Sequence, residues 1–136
     1  MRLFLLLPIL AIAGCTGTPA QQERAATAQA DVRAGLAEEL AGLVPGEPVS
    51  CLPTTGPRTI PSTGYGSTLV YRVSDDVKYV TEAPGCEGVG LGRDILVTNS
   101  PIGRTCSGDI AQTIDRGSRF PSGSCSFGSF TPYRRP

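Results

Sequence analysis

The sequence predicts a mainly β fold, a small antiparallel sandwich or partly open barrel with two disulfides, preceded by one N-terminal α-helix. Three observations lead there. From Val49 onward apolar residues recur with period two between Gly- and Pro-rich turns, as in half-buried strands. Four cysteines, Cys51, Cys86, Cys106 and Cys125, are spread through that same region. Ahead of it, residues 16–44 carry apolar side chains at helical spacing and end at Pro45-Gly46-Glu47-Pro48.

The chain begins with a different kind of segment. Arg2 is followed by an apolar run over residues 3–13, about the length of an export-signal core. That run is short of the roughly 20 apolar residues needed to cross a bilayer. It closes on Ile12-Ala13-Gly14-Cys15, which resembles the lipobox of bacterial lipoprotein precursors. Ala13 and Gly14 leave room for enzymes to reach the backbone, and Ile12 fills an apolar subsite. The resemblance implies diacylglyceryl transfer to Cys15 Sγ, cleavage after Gly14, and acylation (typically palmitate) of the new amine. Two or three acyl chains hold a protein at a membrane almost permanently, since each buried methylene contributes about 0.8 kcal/mol. The competing reading is a plain secretory signal, for which Ala11-Ile12-Ala13 supplies an A-x-A site. Thr16 follows the cysteine; in the enterobacterial sorting scheme a residue other than aspartate there implies the periplasmic face of the outer membrane.

In residues 16–44, Thr18-Pro19-Ala20-Gln21 has the form of a capping box with proline at the first helical position. Ala25, Val32, Leu36, Leu40 and Leu43 share one face, with Glu39 inside that stripe and Gly35 and Gly42 weakening the helix. A spacer helix is expected; an oligomerising coiled coil is disfavoured because Glu39 interrupts the seam, so a monomer is expected. The organisation that follows is a signal at 1–14, a lipidated tether at 15–48, a disulfide-stapled β domain at 49–133 and a tail at 134–136.

Within the domain, Arg58-Thr59-Ile60 lies between prolines and fits an edge strand. Residues 65–73 read as the best strand, Ser74-Asp75-Asp76 as a turn and 77–82 as the returning arm of a hairpin. Ala83-Pro84-Gly85-Cys86 interrupts the sheet. Residues 94–98 and 109–114 are two further strands or short buried segments, and 125–130 is the last strand, directing Cys125, Phe127 and Phe130 to the core. From Thr131 onward the chain reads as a loose end with Arg134 and Arg135 in water.

An even number of cysteines in an exported small domain reads as disulfides, because the compartment oxidises thiols and the core is small. Zinc is a poor alternative: there is no histidine and no C-x-x-C pair. Four cysteines allow three pairings. The nested one, Cys51 with Cys125 and Cys86 with Cys106, is weakly preferred. The order Cys51-Leu52, Tyr79, Cys86 with Gly88 and Leu91, Cys106-Ser107-Gly108-Asp109-Ile110 and Cys125-x-x-Gly128-x-Phe130-x-Pro132-Tyr133 resembles a family of small exported four-cysteine bacterial proteins of unknown function. That resemblance spans residues 51–133, departs from the family over 53–66, and implies a fold and disulfides but no activity.

Composition narrows function without naming one. Twelve basic residues balance twelve acidic ones, giving no basic face for nucleic acid. Without histidine the commonest general base is missing, and Lys78, the one lysine, has no serine at Ser-x-x-Lys spacing. Asp109 and Asp115 are a conceivable carboxylate pair, but Asp109 after Gly108 is better read as a turn residue that accepts backbone N–H groups. Gly88-Val89-Gly90-Leu91-Gly92 lacks the strand and helix a phosphate loop requires, and reads as a bulged or flexible loop. Asp75, Asp76, Glu82 and Glu87 lack the spacing of a calcium loop. Tyr65, Tyr71, Tyr79 and Tyr133 are expected to be mostly packing partners rather than a stacking platform. No catalytic residue, metal or cofactor is expected. The expectation is a membrane-anchored periplasmic lipoprotein that binds an envelope protein or wall polymer, or serves a structural role. The alternative is a periplasmic hydrolase or enzyme-inhibitor domain using Asp109 or a tyrosine.

Overall fold

The computed structural model describes residues 17–54 and 59–136, so the segment ending at Cys15 lies outside the described residues. Helix α1 spans Pro19–Glu39. Its start is the expected capping box: the Gln21 amide donates to Thr18 Oγ1, and the Thr18 amide donates to Gln21 Oε1 at 2.9 Å. The helix stops short of the expected end at Val44, because the chain turns through Leu40 and Gly42, the latter at φ 75°. No residue of α1 is buried. Val32, Gly35, Leu36 and Glu39 are half-covered, whereas Ala25 and everything before Val32 face water. Only the C-terminal turns therefore dock, and the rest projects as a polar rod. Among the described residues no helix is long and apolar enough to cross a membrane.

The β region forms two antiparallel sheets that are not closed into a barrel, in keeping with the mainly β expectation. Strands β1 (Val44–Pro45), β2 (Ser62–Tyr65), β3 (Thr68–Arg72), β4 (Val77–Glu82) and β8 (Thr131–Arg134) form one sheet in the order β1-β8-β4-β3-β2. Strands β5 (Asp94–Thr98), β6 (Ile110–Asp115) and β7 (Pro121–Ser126) form the other, with β6 central. A short helical turn, α2 (Glu87–Gly90), lies between β4 and β5.

Several elements differ from expectation, each for a local reason. The stretch 65–73 is not one strand: Gly66 at φ 62° turns the chain, and Tyr65 pairs with Thr68 across a hairpin. Of the edge strand expected at 58–60, Arg58 lies outside the described residues and Thr59 and Ile60 are not in a strand; the edge strand starts at Ser62, immediately after Pro61, whose carbonyl accepts from the Arg72 amide at 3.0 Å. The glycines after Cys86 form α2 rather than a loose loop. Gly90 lies directly on Gly64, where a Cβ added to Gly64 would stand 2.6 Å from the Gly90 backbone. The last strand splits, with Phe127 and Phe130 lying between β7 and β8. The supposed tail is the largest correction: residues 131–134 are an interior strand between β4 and β1, and Pro132 is buried opposite Tyr79. The folded unit also begins before residue 49, since Val44 and Pro45 pair with Arg134 and Tyr133.

Both sheets share one core. Leu69 and Tyr71 of β3, Tyr79 of β4, Ala111 of β6 and Cys125 of β7 converge with Leu52, Ala83, Cys86, Phe127 and Phe130. Tyr71 meets Phe127 and Phe130 edge-on, with centroids 6.4 and 5.9 Å apart. The disulfides are Cys51–Cys106 and Cys86–Cys125, interleaved rather than nested. Strand pairing decides this, because Cys51 and Cys106 face each other across an isolated antiparallel bridge and Cys125 of β7 lies beside the turn holding Gly85 and Cys86.

Candidate functional site

A β-strand sends alternate side chains to opposite faces, so β3 and β4 present two sets. One set enters the core. The other includes Arg72 and Lys78, which face each other in register, and the end of α1 lies over them. Glu39, the residue that interrupts the helix stripe, meets both: its Oε1 is 2.7 Å from Arg72 Nη2 and 2.8 Å from Lys78 Nζ. Lys78 Nζ also donates to the Glu39 carbonyl, where the helix leaves acceptors without partners and its dipole favours a cation. The Tyr65 hydroxyl donates to Glu39 Oε2 at 3.3 Å. The hydrogen bond from Lys78 holds the Glu39 carboxyl below its ordinary value against the opposing effect of burial, and Arg72 adds to it. Burial, with Glu39 next in importance, pushes the Tyr65 phenol up. This cluster is a latch for the helix, built of groups that satisfy one another.

The other residues with chemical potential are scattered. Asp109 Oδ2 accepts from the Cys106 amide at 2.8 Å, and Asp115 Oδ1 accepts the Ser118 and Gly117 amides. Both carboxylates thus serve turns, at opposite ends of β6. The Ser118 amide and hydroxyl hold the Asp115 carboxyl below the usual range. Asp76 pairs with Arg135, Glu82 accepts from Ser67 and Thr68, and Glu87 accepts from the Gly85 amide. Among the described residues no three acids or cysteines gather to hold a metal. Tyr71 and Tyr79 are core partners facing each other across β3 and β4, Tyr65 packs on Gly35, and Tyr133 stands beside Lys78 on β8.

What the tertiary structure assembles instead is a cleft of about 400 Å³. Its walls come from residues 52–54, the approach to β2 (Thr59, Ile60, Ser62), Leu96 and Thr98 of β5, and the turn from Ser100 to Thr105. Leu96 and Ile60 pack inward against the core, so the floor is apolar while threonine and serine hydroxyls ring it. Among the described residues Arg104 is the only charged one of the lining, and it makes no ion pair there. Tyr71 also contributes to the lining; its hydroxyl is sealed from solvent and has no hydrogen-bond partner among the described residues. Burial raises this phenol far above its ordinary pKa. A buried hydroxyl without a partner costs about 1–3 kcal/mol. Replacement of Tyr71 by phenylalanine should therefore raise stability by about 1 kcal/mol, read as a higher urea midpoint at unchanged slope.

None of the cleft residues stands out in the sequence as a motif. The one available signal is compositional, the Thr/Ser/Pro enrichment around 53–63 and 98–105, and it indicates loops as much as a site. Comparison with family models, curated proteins and solved structures returned no match to this chain.

Proposed function

We propose that the chain is a lipid-anchored, non-catalytic binding component of the bacterial envelope, tethered through Cys15 at the periplasmic face of the outer membrane and engaging its ligand in the cleft. The observation that carries the binding role is the cleft itself. Its volume falls at the lower end of the roughly 300–1,000 Å³ of small-ligand sites, and it combines an apolar floor, a ring of hydroxyls and one unpaired guanidinium among the described residues. The Ile12-Ala13-Gly14-Cys15 motif supports the anchor, and the undocked part of α1 before Val32 supplies a rod roughly 20 Å long between anchor and domain. Tethering raises the local concentration of partners, so modest affinity suffices.

The test is made in the native host. Wild-type protein is expected to carry acyl mass at Cys15 and to fractionate with membranes, while the Cys15→Ala form is released. A photo-crosslinking amino acid placed at Thr98 is expected to capture an envelope partner, and one placed at exposed Asp31 on α1 is not. Acyl-free wild-type protein in the culture fluid would overturn the anchor, and equal capture from both positions would overturn the cleft.

A further inference from the structure

We propose that the cleft receives an extended, acidic peptide segment, which adds a strand to the free edge of β5; the inference rests on the binding role proposed above and names its ligand class. Strand order puts β5 at the edge of one sheet and β2 at the edge of the other. The cleft lies between them, with Leu96 and Thr98 of β5 on one wall and Ser62 of β2 on the other. Among the described residues, Leu96, Val97 and Thr98 make no backbone hydrogen bond beyond the β5–β6 ladder. An edge strand leaves every second N–H and C=O without a partner, and an extended chain supplies both. At the other end α2 closes the space, with Gly90 on Gly64 and the Arg93 amide donating to the Gly88 carbonyl.

Two further features select the chemistry. Among the described residues Arg104 is the single charge of the lining and has no carboxylate beside it, so the complementary ligand carries an acid. A sugar would be favoured by an open aromatic face. Tyr71, the only aromatic of the lining among the described residues, is 5% exposed and occupied edge-on by Phe127 and Phe130. The half-buried Leu96 instead offers an apolar contact at one position of an alternating strand, with Thr98 following two residues on, while the Ser100 hydroxyl is taken up by the Arg104 backbone.

The experiment records amide chemical shifts of the full mature chain in detergent micelles. The probe is a pool of ten-residue peptides that alternate threonine with a randomised apolar residue around one central glutamate. Saturable shifts are expected at Leu96, Thr98 and Arg104. Changing the glutamate to glutamine, or Arg104→Ala in the protein, should each weaken binding about fivefold, and together they should weaken it no further. N-methylation of one alternate set of peptide amides should abolish binding, while the other set is tolerated. Equal binding by both methylated sets, shifts that map elsewhere, or none at millimolar pool would overturn the inference. Saturation by a soluble N-acetylglucosamine–N-acetylmuramic acid disaccharide, without response to peptide, would also overturn it and leave the binding role standing.

Discussion

Removal of the Cys86–Cys125 bridge by the double Cys86→Ala, Cys125→Ala substitution is expected to lower stability by about 4 kcal/mol, more than any single change to the helix latch. The bridge closes a separation of 39 residues and the Cys51–Cys106 bridge one of 55, for which chain entropy gives similar values. Because the loops interleave, the second closure is made in a chain already constrained by the first, and the two contributions do not add. Both Cys86 and Cys125 lie in the core, so loss of their sulfur packing acts in the same direction. Net stabilities of small domains are about 5–15 kcal/mol, so the variant should unfold at much lower urea or not fold at physiological temperature. Thiol titration of the denatured, unreduced protein should find no free thiol at the four positions. Peptide mapping should recover Cys51 with Cys106 and Cys86 with Cys125. Recovery of Cys51 with Cys125 would overturn the interleaved topology.

The second expected result concerns the latch. Lys78→Ala should destabilise the domain by about 2 kcal/mol, below the roughly 3–5 kcal/mol of a fully buried broken pair. Arg72 remains to neutralise Glu39, and its own side chain is half exposed, which screens its contribution. The substitution removes the ammonium group that meets the last helical carbonyl, so amide exchange should rise in the C-terminal turns of α1 before it rises in β3. The pH dependence has a defined sign. The folded Glu39 carboxyl titrates below its unfolded counterpart, so its contribution is complete above the ordinary glutamate value of about 4.3 and disappears as pH falls through the lower folded value. The urea midpoint of the wild type should therefore fall between about pH 6 and pH 3 by more than that of Glu39→Gln. Equal falls would show that Glu39 is not the group responsible.

Local regularities are readable to different depths. The capping box at Thr18 and Gln21, the hairpin of β3 and β4, and strands β5 and β6 follow from residue spacing, because short-range hydrogen bonds and alternation decide them. The turn at Gly66 escapes a reading of spacing because Tyr65 and Thr68 to Val73 form a nearly continuous β-prone run, and glycine in such a run is ambiguous between bulge and turn. Residues 131–134, containing one proline and followed closely by a second arginine, look like a terminus. They become an interior strand because β4 offers a free edge and β1 is only two residues long, so Pro132 withholds little from the ladder. Glu39 in the helix stripe looks like a defect, yet it is the anchor point, since its partners Arg72 and Lys78 stand 33 and 39 residues away.

By itself the sequence determined the class of the domain, the helix start and the oxidised cysteines, since each depends on composition or on neighbours a few positions apart. Only the tertiary structure decided which cysteines join, where β8 inserts, what Glu39 holds, and that Ser62, Thr98 and Arg104 border one cleft. Those outcomes depend on contacts between residues far apart in the chain, which strand order brings together and which no periodicity encodes.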